Sequence, residues 1–316
     1  MRKDTHADSW YTNDGMSSYF NANYTLRMAP TLLQAEIQKA LDKSTEVPKE
    51  NLKYIISPHA GYAYSLKTAA ISYSVIDASK IKTIFILGPS HFTSLRGCGV
   101  DTFTRLKTPL GSLHVDKDII ADLKSQSGFV KISGADSEME HSIEMQLPIL
   151  KHILEKLASP LSSGPWTATT SIKPVPNSLL PYFQKEDTIF VISSDFCHFG
   201  RRFGFTHTGY EHTTMGLSEA IQRLDLDGVK HIVKNDLIGF KQYLEDTRNT
   251  ICGRHPIEVL LKLINLSGIQ IRSKLLSYTQ VRDSVVHCQF VQSSQCRSTQ
   301  DSSVSYCAIA GLWIEG

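Results

Sequence analysis

Three short apolar runs each stop at a turn that carries a histidine, and this repetition constrains the fold more than any other feature. Tyr54-Ile-Ile56 leads into Ser57-Pro-His-Ala-Gly-Tyr-Ala-Tyr-Ser65, with the histidine at 59. Lys82-Thr-Ile-Phe-Ile-Leu-Gly88 ends in Pro89-Ser90-His91, and Thr188-Ile-Phe-Val-Ile-Ser-Ser194 ends in Asp195-Phe-Cys-His198. His59 and His91 lie 32 positions apart, with a helical pattern from Ser65 to Ile76 between them. That is the size of one βαβ unit. Right-handed crossover puts both histidines on the carboxyl rim of one sheet, where open α/β sheets bind ligands. The expected fold is α/β: a single domain over 1–316 with a central mixed or parallel sheet flanked by helices.

The rest of the chain fits around those strands. Residues 1–30 are polar and aromatic without a period and read as an irregular N-terminal arm. A helix from Ala29 to about Lys43 follows from Leu32, Leu33, Ile37 and Leu41. Asp116 caps a helix to about Ser125. Ser137-Glu-Met-Glu140 has the form of a capping box, opening a helix with Ile143, Leu147, Leu150, Leu154 and Leu157 on one stripe. Pro148 kinks or restarts it. The Ser/Thr/Pro/Gly-rich stretch 159–176 reads as a polar loop. Helical patterns occupy about 212–224, 228–233 and 236–246, and Pro256 sits in the first turn of another. Residues 271–279 and 303–314 are strand-like.

Composition excludes several classes of function. With 33 basic and 31 acidic residues dispersed along 316, there is no electrostatic footprint for nucleic acid. No apolar run approaches the ~18 residues of a membrane span, and the N-terminus lacks the apolar core of a secretory signal. The six cysteines form no CxxC pair and no disulfide framework, which suits reduced thiols in a cytoplasmic setting. GxGxxG, GxxxxGK[ST] and GxSxG are absent, which disfavours nucleotide binding and hydrolase chemistry of those types.

Four clusters carry candidate chemistry, each with a plainer alternative. His59 and His91 sit on small-residue turns and can offer imidazole lone pairs to a metal; otherwise they are loop histidines bonded to backbone. Asp195 and His198, three apart, suit an acid/base histidine oriented by a carboxylate on one helical turn; otherwise Asp195 is a cap and His198 a packed ring. Thr250-Ile-Cys252-Gly-Arg254-His255-Pro256 crowds a thiol, a guanidinium and an imidazole at a helix start, where anions are favoured. The alternative is a structural turn with a buried cysteine. His141-Ser-Ile-Glu144 lies off the apolar stripe and offers a further pocket histidine, or a solvated face.

Together these segments resemble the Memo family. Pro58-His-Ala-Gly-Tyr62, Phe85-Ile-Leu-Gly-Pro-Ser-His91, Glu140-His-Ser-Ile-Glu-Met145, Ser193-Ser-Asp-Phe-Cys-His198 and Asn249-Thr-Ile-Cys-Gly-Arg-His-Pro256 are similar to its motifs. So are Ala7-Asp-Ser-Trp-Tyr11, Gln292-Ser-Ser-Gln-Cys-Arg297 and Gln300-Asp-Ser-Ser-Val-Ser-Tyr306. The resemblance implies the fold of class III extradiol dioxygenases, non-haem Fe(II) enzymes that hold iron with two histidines and a carboxylate. In the Memo family cysteine takes the carboxylate's place. Carried over, His59, His91 and Cys252 would ligate a mononuclear Fe(II) or Cu, with His198 as acid/base histidine and Asp195 beside it; His141, from its off-stripe position, is a third catalytic candidate. A thiolate softens the ligand set, moving preference towards copper while iron stays allowed.

Two functions follow from the resemblance. One is a metal-dependent redox protein with oxidase or oxygen-reducing chemistry. The other is a non-catalytic module that holds a (phospho)peptide or protein partner in the cleft, in signalling or cytoskeletal control, in cytoplasm or nucleus. The sequence departs from the family in two places. The polar loop 159–176 stands where an apolar strand is usual, and residues 281–291 look like an insertion.

Overall fold

The computed structural model describes residues 1–7, 30–155, 162–169, 175–282 and 302–314. In chain order its elements begin α1 (Pro30–Asp42), β1 (Leu52–Ser57), α2 (Tyr62–Tyr73), β2 (Thr83–Gly88), β3 (Cys98–Val100), β4 (Arg105–Thr108) and β5 (Gly111–His114). Then come α3 (Lys117–Ser125), β6 (Phe129–Lys131), α4 (Gly134–Met139), α5 (His141–Glu144), α6 (Leu147–Glu155), β7 (Ser162–Thr169), α7 (Val175–Phe183), β8 (Thr188–Ser193) and β9 (His198–Phe199). The chain continues through α8 (Leu217–Val233), α9 (Leu237–Thr247), α10 (Arg254–Ser267), β10 (Ile271–Arg282) and β11 (Ser303–Trp313).

One sheet organises these elements, in the order β10-β11-β1-β8-β2-β7-β3-β6, with β9 pairing β11 to one side. The four central strands β1, β8, β2 and β7 run parallel. Antiparallel pairings begin at β11 against β1 and at β3 against β7. The sheet is therefore mixed and mostly parallel at its centre, as expected. Tyr54, Ile56, Phe85, Leu87, Phe190 and Ile192 face a core closed by α7 to α10. Ile55, Ile84, Ile86, Ile189 and Val191 face the opposite core, under α1, α2 and α6. Burial on both faces is why these strands read as unbroken apolar runs.

The structure corrects several expectations. Residues 162–169 form β7, an interior strand between β2 and β3, where a polar loop was expected. Its register against β2 shifts between Ile84/Ser163 and Ile86/Trp166, a bulge at Gly164-Pro165. That irregularity is where a sheet can take a proline that has no N–H to give. Ser137 does not open a helix. Ser133 caps α4, and Glu140 caps α5 by accepting the Ser142 N–H. Residues 217–233 form one helix, not two. Gly228 sits inside it because a Cβ there would lie 2.6 Å from the Tyr243 ring. Val281 and Arg282 extend β10, and the rest of the expected insertion lies outside the described residues, as do 8–29 of the N-terminal arm.

Candidate metal centre

The carboxyl ends of β1, β8 and β2 lie side by side, and the turns after them carry His59, Asp195 with His198, and His91. Cys252 comes from the turn before α10. That turn reaches the rim because residue 253 is glycine: a Cβ there would stand 2.3 Å from Ser194 Cβ and 2.7 Å from the Ser193 carbonyl oxygen. The Gly253 N–H donates to Ser194 Oγ at 3.1 Å, fixing the approach.

His59, His91 and Cys252 each place one ligand atom within 4.8 Å of the others. His59 Nε2 and Cys252 Sγ are 3.2 Å apart. Three side chains 32 and 161 positions apart in sequence thus converge at one point, and they are the three expected as ligands. His141 belongs to the same group of rings. Its centroid is 5.4 Å from that of His59 and 4.4 Å from that of His91, against which it stacks.

Hydrogen bonding decides which nitrogens are bare. Ser193 Oγ has one proton and gives it to the Ser142 carbonyl at 2.6 Å. Gln146 Nε2 donates to Ser193 Oγ at 3.0 Å and to the Pro58 carbonyl at 2.9 Å, while Tyr73 donates to Gln146 Oε1. The 2.8 Å contact between His59 Nδ1 and Ser193 Oγ must therefore run from the imidazole N–H to the hydroxyl. His59 keeps its proton on Nδ1 and turns the Nε2 lone pair towards Cys252. His91 Nδ1 faces Glu140 Oε1 at 2.8 Å, which leaves Nε2 as its free lone pair. Both histidines are oriented as metal-ligating imidazoles are, with a partner behind the ring.

Asp195 and His198 feel each other's charge, but each takes its hydrogen bonds from other partners. No helix spans the segment between β8 and β9, so the helical turn expected to present the two side chains is absent. The Asp195 carboxylate instead accepts the N–H groups of His59 and Ala60 at 2.8 and 3.3 Å and holds the His59 turn. The Asp195 N–H donates to Cys252 Sγ at 3.2 Å. His198 is oriented by Thr250: its Nδ1–H donates to the Thr250 carbonyl at 3.1 Å, and its own N–H to Thr250 Oγ1 at 2.7 Å. A carbonyl only accepts, so His198 too presents a bare Nε2. Arg254 is exposed and donates to the Ile251 carbonyl, while His255 lies 3.9 Å from Glu258. Glu144 turns away from the rings to meet Arg2 and His6.

Burial sets the charge states. It pushes the His59 and His141 imidazoles well below their ordinary range, and neighbouring histidines add to the shift. It lowers His198 against the opposing pull of Asp195, and raises Asp195. Burial and the Asp195 charge push the Cys252 thiol well up. Glu140 is the exception: burial opposes its ionisation, but the His91 hydrogen bond and the electrostatic pull of the two neighbouring imidazoles outweigh it, leaving a pKa of about 2. The result is neutral imidazoles at His59, His141 and His198 and a thiol at Cys252, with an ionised carboxylate behind the His91 ring. Such a donor set suits a borderline or soft transition metal. A bound cation would draw the proton off the thiol. Glu140, Ser193 and Thr250 stood in the sequence motifs without a role at the site, and Gln146 was not named, since their roles arise from contacts across the fold.

The family model described as "Memo-like protein" matches residues 2–310. The protein named MEMO1 of Xenopus tropicalis is 36% identical over 314 residues, covering 97% of this chain and 96% of its own length. A MEMO1 family protein of Schizosaccharomyces pombe is 35% identical over 330 residues, covering 97% of each chain. MEMO1 of Homo sapiens is 34% identical over 314 residues, covering 97% of this chain and 96% of its own. With a match over nearly its whole length and relatives above 30% identity, the chain belongs to the Memo family.

Proposed function

We propose that this chain holds one iron or copper ion between His59, His91 and Cys252 and serves oxygen-linked oxidation chemistry. The observation that carries the reading is the convergence of His59, His91 and Cys252, each with one ligand atom within 4.8 Å of the others, His59 Nε2 standing 3.2 Å from Cys252 Sγ. When bound, the metal supplies one-electron redox chemistry at dioxygen. The residues around it have separable tasks. His59, held by Ser193, and His91, held by Glu140, fix two donor directions before any ion arrives. Cys252 sets softness. His198, neutral and aimed by Thr250, accepts a proton at Nε2. His141 stands over the same space as a second neutral base. Asp195 acts on the backbone of the His59 turn, and so positions a ligand instead of moving a proton.

The test is elemental analysis of protein purified from its own host, with oxygen consumption measured in the same preparation. The reading expects about one equivalent of Fe or Cu and metal-dependent oxygen uptake, with His198→Gln keeping the metal and losing most of the uptake. Protein without stoichiometric Fe or Cu, and metal content unchanged in His59→Ala, would overturn it.

A second reading keeps the cleft as a docking site for a peptide or protein partner. Supporting it are Phe92, 57% exposed on the turn after β2, and the exposed Arg254. Peptide affinity measured with and without chelator separates the two. Metal-independent binding that survives Cys252→Ser favours the second. No helix among the described residues is long and apolar enough to cross a membrane. Cys98, Cys197, Cys252 and Cys307 form no disulfide among the described residues, which supports placing the protein in a reducing compartment, cytoplasm or nucleus.

A further inference from the structure

A second set of donors stands outside the first. His91, Glu140 and His141 also each bring one ligand atom within 4.8 Å of the other two. Glu140 Oε1 is 2.8 Å from His91 Nδ1 and 3.7 Å from His141 Nδ1, and the two rings stack at 4.4 Å with 20° between their planes. Bonds of about 2.0–2.2 Å from imidazole nitrogen and carboxylate oxygen to a tetrahedral ion put donor atoms roughly 3–3.5 Å apart. The observed 2.8 and 3.7 Å bracket that spacing. Glu140 is held independently of any cation, because its two oxygens accept the N–H groups of His91 (2.6 Å) and Ser142 (2.9 Å). The cluster opens outwards through His91, whose side chain is 28% exposed against 2% for His59, while Glu140 and His141 are buried.

We infer that His91, Glu140 and His141 form a second, outer cation site for a divalent transition-metal ion. It shares only His91 with the proposed His59–His91–Cys252 centre. When both are filled, His91 serves the inner ion through Nε2 and the outer through Nδ1. The Nδ1 proton that now faces Glu140 passes to solvent as the outer ion takes its place. The outer donors are two nitrogens and one oxygen, with no sulfur. The outer site therefore takes zinc-like or cobalt-like divalent ions where the inner one favours softer ions.

The test is titration of the metal-free full chain with cobalt(II), following both the equivalents bound and the sulfur-to-metal charge-transfer band, which Cys252→Ser assigns to Cys252. Wild type is expected to bind two equivalents. His141→Phe, which keeps a stacked ring but removes the donor, should bind one with the band intact. Cys252→Ser should bind one without the band. A single equivalent in wild type with the full band overturns the outer site and leaves the inner one standing. Two equivalents persisting in His141→Phe also overturn it. One equivalent without the band keeps the outer site and overturns the inner. No binding in wild type overturns both.

Discussion

Ser193 has a single proton, and where that proton goes settles which face of His59 meets a cation. Because the proton is committed to the Ser142 carbonyl and Gln146 fills another lone pair, the imidazole has to donate from Nδ1. Ser193→Ala removes the acceptor and frees the ring to adopt the other tautomer. Metal affinity should fall by about 10–100-fold, measured by competition with a chelator, while the ligands themselves are untouched. A second expectation concerns pH. Burial and Asp195 keep the Cys252 thiol protonated through neutrality, so an arriving cation must displace one proton. Apparent affinity should therefore rise by about tenfold per pH unit across the neutral range, and this slope should flatten in Cys252→Ser. At this scale the sequence was legible where a residue type alone carries the chemistry, as at His59, His91 and Cys252. It was not legible for Ser193, Gln146 or Thr250. A serine, a glutamine and a threonine become meaningful only by what stands opposite them, and those partners are 134, 88 and 52 positions away.

Elements were legible in proportion to how much apolar surface they bury. The strands β1, β2 and β8 are covered on both faces, and each stands out as an apolar run. The strand β7 has no such run. It is recruited by backbone pairing with β2 and β3, and it takes a bulge at its proline. A helix also joined across an expected break, because Gly228 in α8 allows α9 to come close and does not mark an end. Asp225 in α8 shows how the helices on that face hold the rim loops. Its buried carboxylate accepts from the Cys197 N–H (3.2 Å), Asn249 Nδ2 (2.8 Å), the Tyr278 hydroxyl (3.0 Å) and the Ser305 hydroxyl. Burial outweighs those four donors and pushes its pKa up to about 6 from 3.8. The native state then binds this proton more tightly than the unfolded state does. The associated stability is complete below about pH 4 and is lost as pH rises through 6, on the order of 1–3 kcal/mol. Denaturant melts from pH 4 to pH 7 should show that decline in wild type, and Asp225→Asn should remove this part of it.

For the whole molecule, the rule that parallel sheets bind ligands beyond their carboxyl ends was enough to place three of the histidines together. The far N-terminal segment could not be placed that way. Arg2 is buried, and it ties the start of the chain to the site's supporting helices. Its guanidinium reaches Glu144 at 2.7 Å and the carbonyls of Ser137 and Glu140 at 2.7 and 3.0 Å. His6 meets the same Glu144 carboxylate at 3.0 Å, and its ring lies 6.1 Å from that of His141. Arg2→Ala leaves a carboxylate that is 1% exposed without its cation. The expected cost is about 3–5 kcal/mol in thermal or chemical denaturation. Nothing in residues 1–7 resembles a structural anchor in sequence, since one arginine near a terminus is ordinarily solvated.

X-ray absorption at the metal edge of the protein loaded with one equivalent of copper or iron tests the central claim most directly. Wild type should show one sulfur neighbour at about 2.3 Å with two imidazole nitrogens at about 2.0–2.1 Å, and Cys252→Ser should lose the sulfur shell. A wild-type spectrum with only nitrogen and oxygen neighbours, unchanged in Cys252→Ser and in His59→Ala, would contradict the account.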